Sequence, residues 1–180
     1  LNNRSKRIAI IGDSYIENLM NPITCNQGSL LQKTNENIDF FEAGRSGITF
    51  IEAMEITKHM DSLNFNKYLI YLSDGDFEES FSNIVRYQDR MQYDAENNTL
   101  LHGSLKSPGL KKIMYNVKFL YYLYSRFPLF VDKQNKGEVQ EKTTVKNEVY
   151  DENRFNKLFK YCQENYDLDP IVLVFHPNTS

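Results

Sequence analysis

The chain has 180 residues, 41% hydrophobic and 25% charged, and its 21 Lys and Arg against 24 Asp and Glu give a net charge of −3. That length suits a single domain able to bury roughly 70% of its unfolded surface without a disulfide or a metal. The composition excludes collagen-like, coiled-coil and disordered classes. No apolar run nears the ~20 residues of a membrane helix, and a weakly acidic balance argues against a nucleic-acid-binding surface. The first residue is Leu1, so the chain is expected to be processed or part of a longer product. An exported or cell-envelope location would follow if a leader has been removed.

The first element is Arg7–Ile11, an apolar run closed by Gly12, as expected of a strand buried on both faces. Ser14 follows and opens a predicted helical segment, Tyr15–Met20. Ile38–Glu42 is the second strand and runs into the glycine-bearing turn Ala43-Gly44-Arg45-Ser46-Gly47. Thr49 and Glu52 have capping-box spacing, which predicts a helix to about Leu63 with Phe50, Ala53, Met54 and Met60 inward.

The third strand is Tyr68–Leu72, followed by Ser73-Asp74-Gly75-Asp76. Glu78 and Glu79 are expected near the next helix's N-terminus, where negative charge is favourable. Residues 86–102 read as an inserted surface hairpin with Glu96-Asn97-Asn98 at its turn. Gly109–Phe127 repeats apolar residues with a period close to 3.6, and Lys111, Lys112, Lys118 and Arg126 lie opposite. A core-packing helix is favoured there over a membrane-surface one. Residues 132–147 are polar and charged and read as an exposed loop. Asp151 caps the last helix, with Phe155, Leu158, Phe159 and Cys162 inward, so Cys162 is expected to be a buried free thiol. Ile171–Phe175 is the fourth strand, followed by His176-Pro177-Asn178.

Strand–helix alternation predicts one α/β domain over residues 1–180, a three-layer α/β/α sandwich around a flavodoxin-like parallel sheet. Ligands of such sheets bind beyond the carboxyl ends of the strands. Those ends carry Asp13 and Ser14, Gly47, Gly75 and Asp76, and His176. A serine at a helix N-terminus can act as a nucleophile, because the N–H groups around it stabilise the oxyanion formed when it attacks an ester. Ser14 or Asp13 could equally serve as a plain helix cap.

The segment Ile8–Asn18, IAIIGDSYIEN, resembles the first block of the GDSL-type, or SGNH, hydrolase superfamily. The resemblance makes Ser14 the nucleophile. The second block, of form N-x-x-x-S-G-x-T, is matched at Ser46, Gly47 and Thr49, with Glu42 in place of the Asn. It implies that Gly47 is an oxyanion glycine. The third block, G-x-N-D, reads Ser73-Asp74-Gly75-Asp76, so the Asp is kept and Gly75 replaces the Asn that donates to the oxyanion. Loss of one such donor typically costs ~10²–10³ in turnover. Either another donor reaches in, or the Gly75 N–H serves, or the enzyme is slow. The resemblance spans Lys6 to about Phe77, with Asp13 and Asp76 lining the pocket. It implies a serine esterase or acyltransferase that needs no cofactor or metal, acting on a small-molecule or carbohydrate ester. O-acetyl carbohydrate is the first expectation, with lipid esters and thioesters next.

A serine nucleophile needs a base, usually His. His59 falls mid-helix and His102 in the hairpin, both poorly placed. His176 is on the correct edge and resembles the family's D-x-x-H-P-N block, but Leu173 stands where the Asp belongs. Two readings stay open: His176 is the base, or the true block lies beyond Ser180 and His176 lines the pocket. The second is favoured, because four strands are counted and the fold then looks incomplete at its C-terminus. Two other functions compete: a non-catalytic binding domain on the same fold, and a Mg²⁺-dependent phosphatase using Asp13, Asp74, Asp76, Glu78 and Glu79. Against the phosphatase, the first strand carries Tyr15 where a second Asp would be needed.

Overall fold

The computed structural model describes residues 6–18, 21–83, 89–103, 109, 117 and 151–175. Two compact units are distinguished, Leu1–Ser104 with Asn153–Ser180, and Leu105–Glu152. The elements below belong to the first, apart from the opening residue of the last helix. The expected helix over 109–127 and the polar loop over 132–147 lie outside the described residues, except for Gly109 and Val117, both exposed.

Strands β1 (Lys6–Gly12), β2 (Ile38–Gly44) and β3 (Lys67–Leu72) form a parallel sheet with the last strand, Ile171–Phe175. Between β3 and that strand a separate antiparallel hairpin holds β4 (Gln92–Asp94) and β5 (Thr99–Leu101), which makes the last strand β6. The sheet order is β2-β1-β3-β6. This suits a flavodoxin-like layout, in which chain order reverses between β1 and β3 and ligands enter at that crevice. The register is nearly level at the carboxyl ends: Gly12 pairs with Gly44, and Leu72 with Phe175.

Alternation sorts the strand residues into two faces. Ala9, Ile11, Tyr68, Ile70 and Leu72 are buried in one cluster under α3 (Phe50–Met60) and α5 (Glu152–Asn165). Fully buried Ile51 and Met54 of α3 each contribute about 1.5–3 kcal/mol. On the other face lie α1 (Ser14–Glu17) and α2 (Gln27–Thr34), since Gly12 packs on Ile16 and Gly28 on Glu42. Helices therefore flank the sheet on both sides.

Helix α3 begins as its sequence dictates. Thr49 Oγ1 accepts from Glu52 N at 3.3 Å and Glu52 Oε2 from Thr49 N at 3.2 Å. Past Met60 it tightens into a 3-10 turn, Asp61–Leu63, and Asn64 ends it in the left-handed region at φ 55°. A short helix α4 (Asp74–Glu78) follows β3. Phe77 of α4 stacks on Phe50 at 4.6 Å and on Phe175 at 5.8 Å, closing the core at the carboxyl edge.

Several local expectations are corrected. The helix after Ser14 is one turn, Ser14–Glu17, ended by Asn18 at φ 44°, and is shorter than expected. Helix α2 is an addition. Its N-cap residue Asn26 makes no capping bond; Glu42, from β2, accepts from Gly28 N instead. Glu78 ends α4 and Glu79 is its C-cap, so neither sits at a helix N-terminus. Phe159 is 40% exposed although its ring lies 6.0 Å from Phe50. The hairpin forms with its turn where expected, held by Asp94, which accepts from Glu96 N at 2.9 Å and Asn97 Nδ2 at 2.8 Å, but it is not a surface hairpin: Gln92 and Tyr93 of β4 are buried, and Tyr93 joins the core. Cys162 is a buried free thiol and Cys25 an exposed one.

Candidate functional site at the carboxyl edge of the sheet

Three loops meet where β1, β2 and β3 end. After β1, Asp13 caps α1: its Oδ1 accepts from Tyr15 N at 2.9 Å and its carbonyl from Glu17 N at 2.9 Å. The capping role left open for this pair therefore falls to Asp13, and Ser14 is exposed. Gly12 admits no side chain, because a Cβ there would lie 2.5 Å from Ile16 Cγ1 and 3.1 Å from Tyr71 Cβ. That close packing fixes where β1 turns and hence where Ser14 stands.

The loop after β2 is fastened to the first. Arg45 N donates to Gly12 O at 3.0 Å. Ser46 N donates to Glu17 Oε2 at 2.7 Å, and Ser46 Oγ donates to the same oxygen. Glu17 stands three residues beyond Ser14 on α1, so one carboxylate ties the Ser14 turn to the Gly47 turn. Gly47 has φ +69°, the left-handed region that disfavours side chains.

After β3, Ser73 N and Oγ donate to Asp76 Oδ2 at 2.6 and 3.0 Å in a second capping box. Asp76 is buried, and burial raises its pKa. The two Ser73 bonds oppose that rise, and the nearby Asp13 and Glu79 charges add to it. A Cβ on Gly75 would meet nothing within 4 Å, so that position faces open space.

Tertiary contacts outside the motifs hold the site together. Arg45 Nη1 donates to Glu52 Oε1 at 2.6 Å, and Arg45 Nη2 to Asp89 O at 3.0 Å. Met91 N donates to Glu52 Oε1 at 2.9 Å, and Thr49 Oγ1 to Met91 O at 3.1 Å. The segment leading into the hairpin is thus clamped onto the start of α3. Arg90, inside that segment, pairs with Glu79, and its guanidinium lies directly against Gly47. Partners this distant in sequence leave no local signal.

The structure brings Ser14, Asp13, Gly47, Gly75 and Asp76 to one edge, but no described histidine joins them as a partner. His59 lies in the last turn of α3 with its side chain 82% exposed, 3.9 Å from Glu55. His102 follows β5 and is exposed. His176 lies outside the described residues; the residue before it, Phe175, is paired with Leu72.

Glu42, standing where the second block has Asn, accepts from Asn26 Nδ2 at 3.0 Å and caps α2. Among the described residues no three His, Cys, Asp or Glu side chains come together as a metal site. A cleft of about 280 Å³ opens elsewhere, between α3, α5 and β6, lined by Phe50, Met54, Phe159, Cys162 and Leu173. No helix among the described residues is long and apolar enough to cross a membrane. No protein-family model, curated protein or solved structure matches the chain.

Proposed function

We propose that the chain carries an SGNH-type serine esterase or acyltransferase site acting on a small-molecule or carbohydrate acyl ester. The observation that supports this best is the exposed Ser14 directly beyond β1, at the β1/β3 reversal of a parallel sheet, with the Gly47 turn fastened beside it. In this reading Ser14 Oγ attacks the ester carbonyl carbon and the C=O electron pair moves onto oxygen. The N–H groups of Ser14 and Gly47 stabilise that oxyanion. A histidine takes the serine proton and returns it to the leaving alcohol; His176 is the candidate within this chain. Water, or an acceptor hydroxyl, then releases the acyl group from Ser14.

Turnover of p-nitrophenyl acetate, compared between the wild type and Ser14→Ala, tests the reading. Hydrolysis that vanishes in the variant and survives EDTA supports it. Activity that EDTA abolishes, that is lost in Asp13→Asn and that persists in Ser14→Ala would favour the Mg²⁺-dependent phosphatase. A folded wild type with no hydrolysis would favour a binding domain, a reading motivated by the lack of any described histidine partnering Ser14.

A further inference from the structure

The Arg90 guanidinium stands at the Gly47 turn, the place where the proposed reaction develops negative charge. A Cβ on Gly47 would overlap Arg90 Nη2 and lie 2.9 Å from Arg90 Cζ, so the guanidinium covers this glycine at van der Waals distance. Its position is held from both sides. Glu79, at the end of α4, pairs with Arg90 Nη1. The backbone on either side is bound through Asp89 O to Arg45 and through Met91 N to Glu52. Gly103 closes the rear, since a Cβ there would lie 2.5 Å from Arg90 N. A long cationic side chain is thus fixed in a 21%-exposed position, where its charge is screened less than on an open surface.

From this arrangement we infer that Arg90 is an oxyanion donor of the site. The inference rests on the esterase reading above. In the attack step Arg90 directs a guanidinium N–H at the former carbonyl oxygen. The guanidinium only donates a hydrogen bond in this step, and no proton is transferred to or from it. A charge-assisted donor of this kind is about twice as strong as a neutral one. It also answers a gap in the resemblance: Gly75 has no side chain to donate where the family has Asn, and a Cβ there would meet nothing within 4 Å. The hairpin insertion therefore has a function, to carry Arg90 to the Gly47 turn.

The test uses p-nitrophenyl acetate kinetics with Arg90→Met, Arg90→Lys, and Arg90→Met combined with Gly75→Asn. Arg90→Met is expected to lower kcat about 10²–10³-fold with KM nearly unchanged. Gly75→Asn, whose amide enters open space, is expected to return at least tenfold of that loss. Arg90→Lys should recover part of it. A purely structural Arg90 predicts no rescue from position 75, and a folded Arg90→Met with wild-type kcat overturns the inference.

If Arg90→Met does not fold, arginine side-chain NMR on the wild type before and after phosphonylation of Ser14 decides. The Arg90 guanidinium signal is expected to shift, and an unmoved signal overturns the inference. A wild type that neither turns over the ester nor takes the phosphonyl group on Ser14 fails the esterase reading itself and this inference with it. Wild-type activity with an indifferent Arg90 fails the inference alone.

Discussion

Arg45 Nη1 and Glu52 Oε1 lie 2.6 Å apart across the turn that joins β2 to α3. The same carboxylate accepts from Met91 N at 2.9 Å, and its other oxygen completes the α3 capping box. One largely buried group therefore secures a helix start, an arginine and the root of the hairpin. Glu52→Ala is expected to cost roughly 2–3 kcal/mol, because it removes charge-assisted bonds and leaves Met91 N without its acceptor. Glu52→Gln keeps one acceptor oxygen, for Met91 N or for Thr49 N but not for both, and should cost less than the alanine change. Urea unfolding of the two variants checks the order, and faster hydrogen exchange at Met91 in Glu52→Ala checks the cause.

Two glycines of the site should respond oppositely to alanine. Gly47→Ala forces a side chain into φ +69° and onto the Arg90 guanidinium. It should destabilise by roughly 1–3 kcal/mol and reduce esterase turnover. Gly75→Ala meets nothing within 4 Å and sits in α4. It should leave stability unchanged or raise it by up to about 1 kcal/mol. Thermal melts of both proteins settle the contrast, and equal losses at the two positions would contradict it.

Asp76 should impose a pH dependence of unusual sign for a carboxylate. Burial is the largest influence and raises its pKa, outweighing the Ser73 hydrogen bonds. Between the ordinary aspartate range and the raised native value, the folded state holds more protons than the unfolded one. Stability then falls as pH rises through that window and is level above it. Asp76→Asn removes this fall, so wild type and variant should differ in the slope of unfolding free energy through the acid range. Superimposable slopes would contradict the assignment.

The thiols offer a check on packing. Burial pushes the Cys162 thiol up to about 12, whereas Cys25 is exposed. Iodoacetamide should modify Cys25 in the native protein and Cys162 only after denaturation. Mass spectrometry counts the adducts, and native labelling at Cys162 would mean that α5 does not seat on the core as described.

The sheet was legible because its four strands are short apolar runs each closed by turn residues, and β6 falls on the expected bounds Ile171–Phe175. The capping box at Thr49 and Glu52 was legible for the same reason: the signal is local and chemical. Helix α2 was not, since its N-terminus is completed by Glu42 from a neighbouring strand. The helix after Ser14 was read too long because the stop at Asn18, a residue that tolerates the left-handed region, was passed over.

At the site, the residues directly beyond the strands could be named from the sequence. The contacts of Arg45 with Asp89, Glu52 with Met91 and Glu79 with Arg90 could not, because tertiary packing joins partners 11 to 44 residues apart. The roles proposed for Ser14 and Gly47 come from the family resemblance alone; the fold shows only that Glu17 fastens the turns that carry them.

The most direct test of the central claim is intact-protein and peptide mass spectrometry after treatment with a fluorophosphonate. The account predicts one phosphonyl adduct, located on Ser14, absent from Ser14→Ala and accompanied by loss of p-nitrophenyl acetate hydrolysis. A folded chain that carries no adduct, or carries it on another residue while Ser14→Ala keeps full activity, would contradict it.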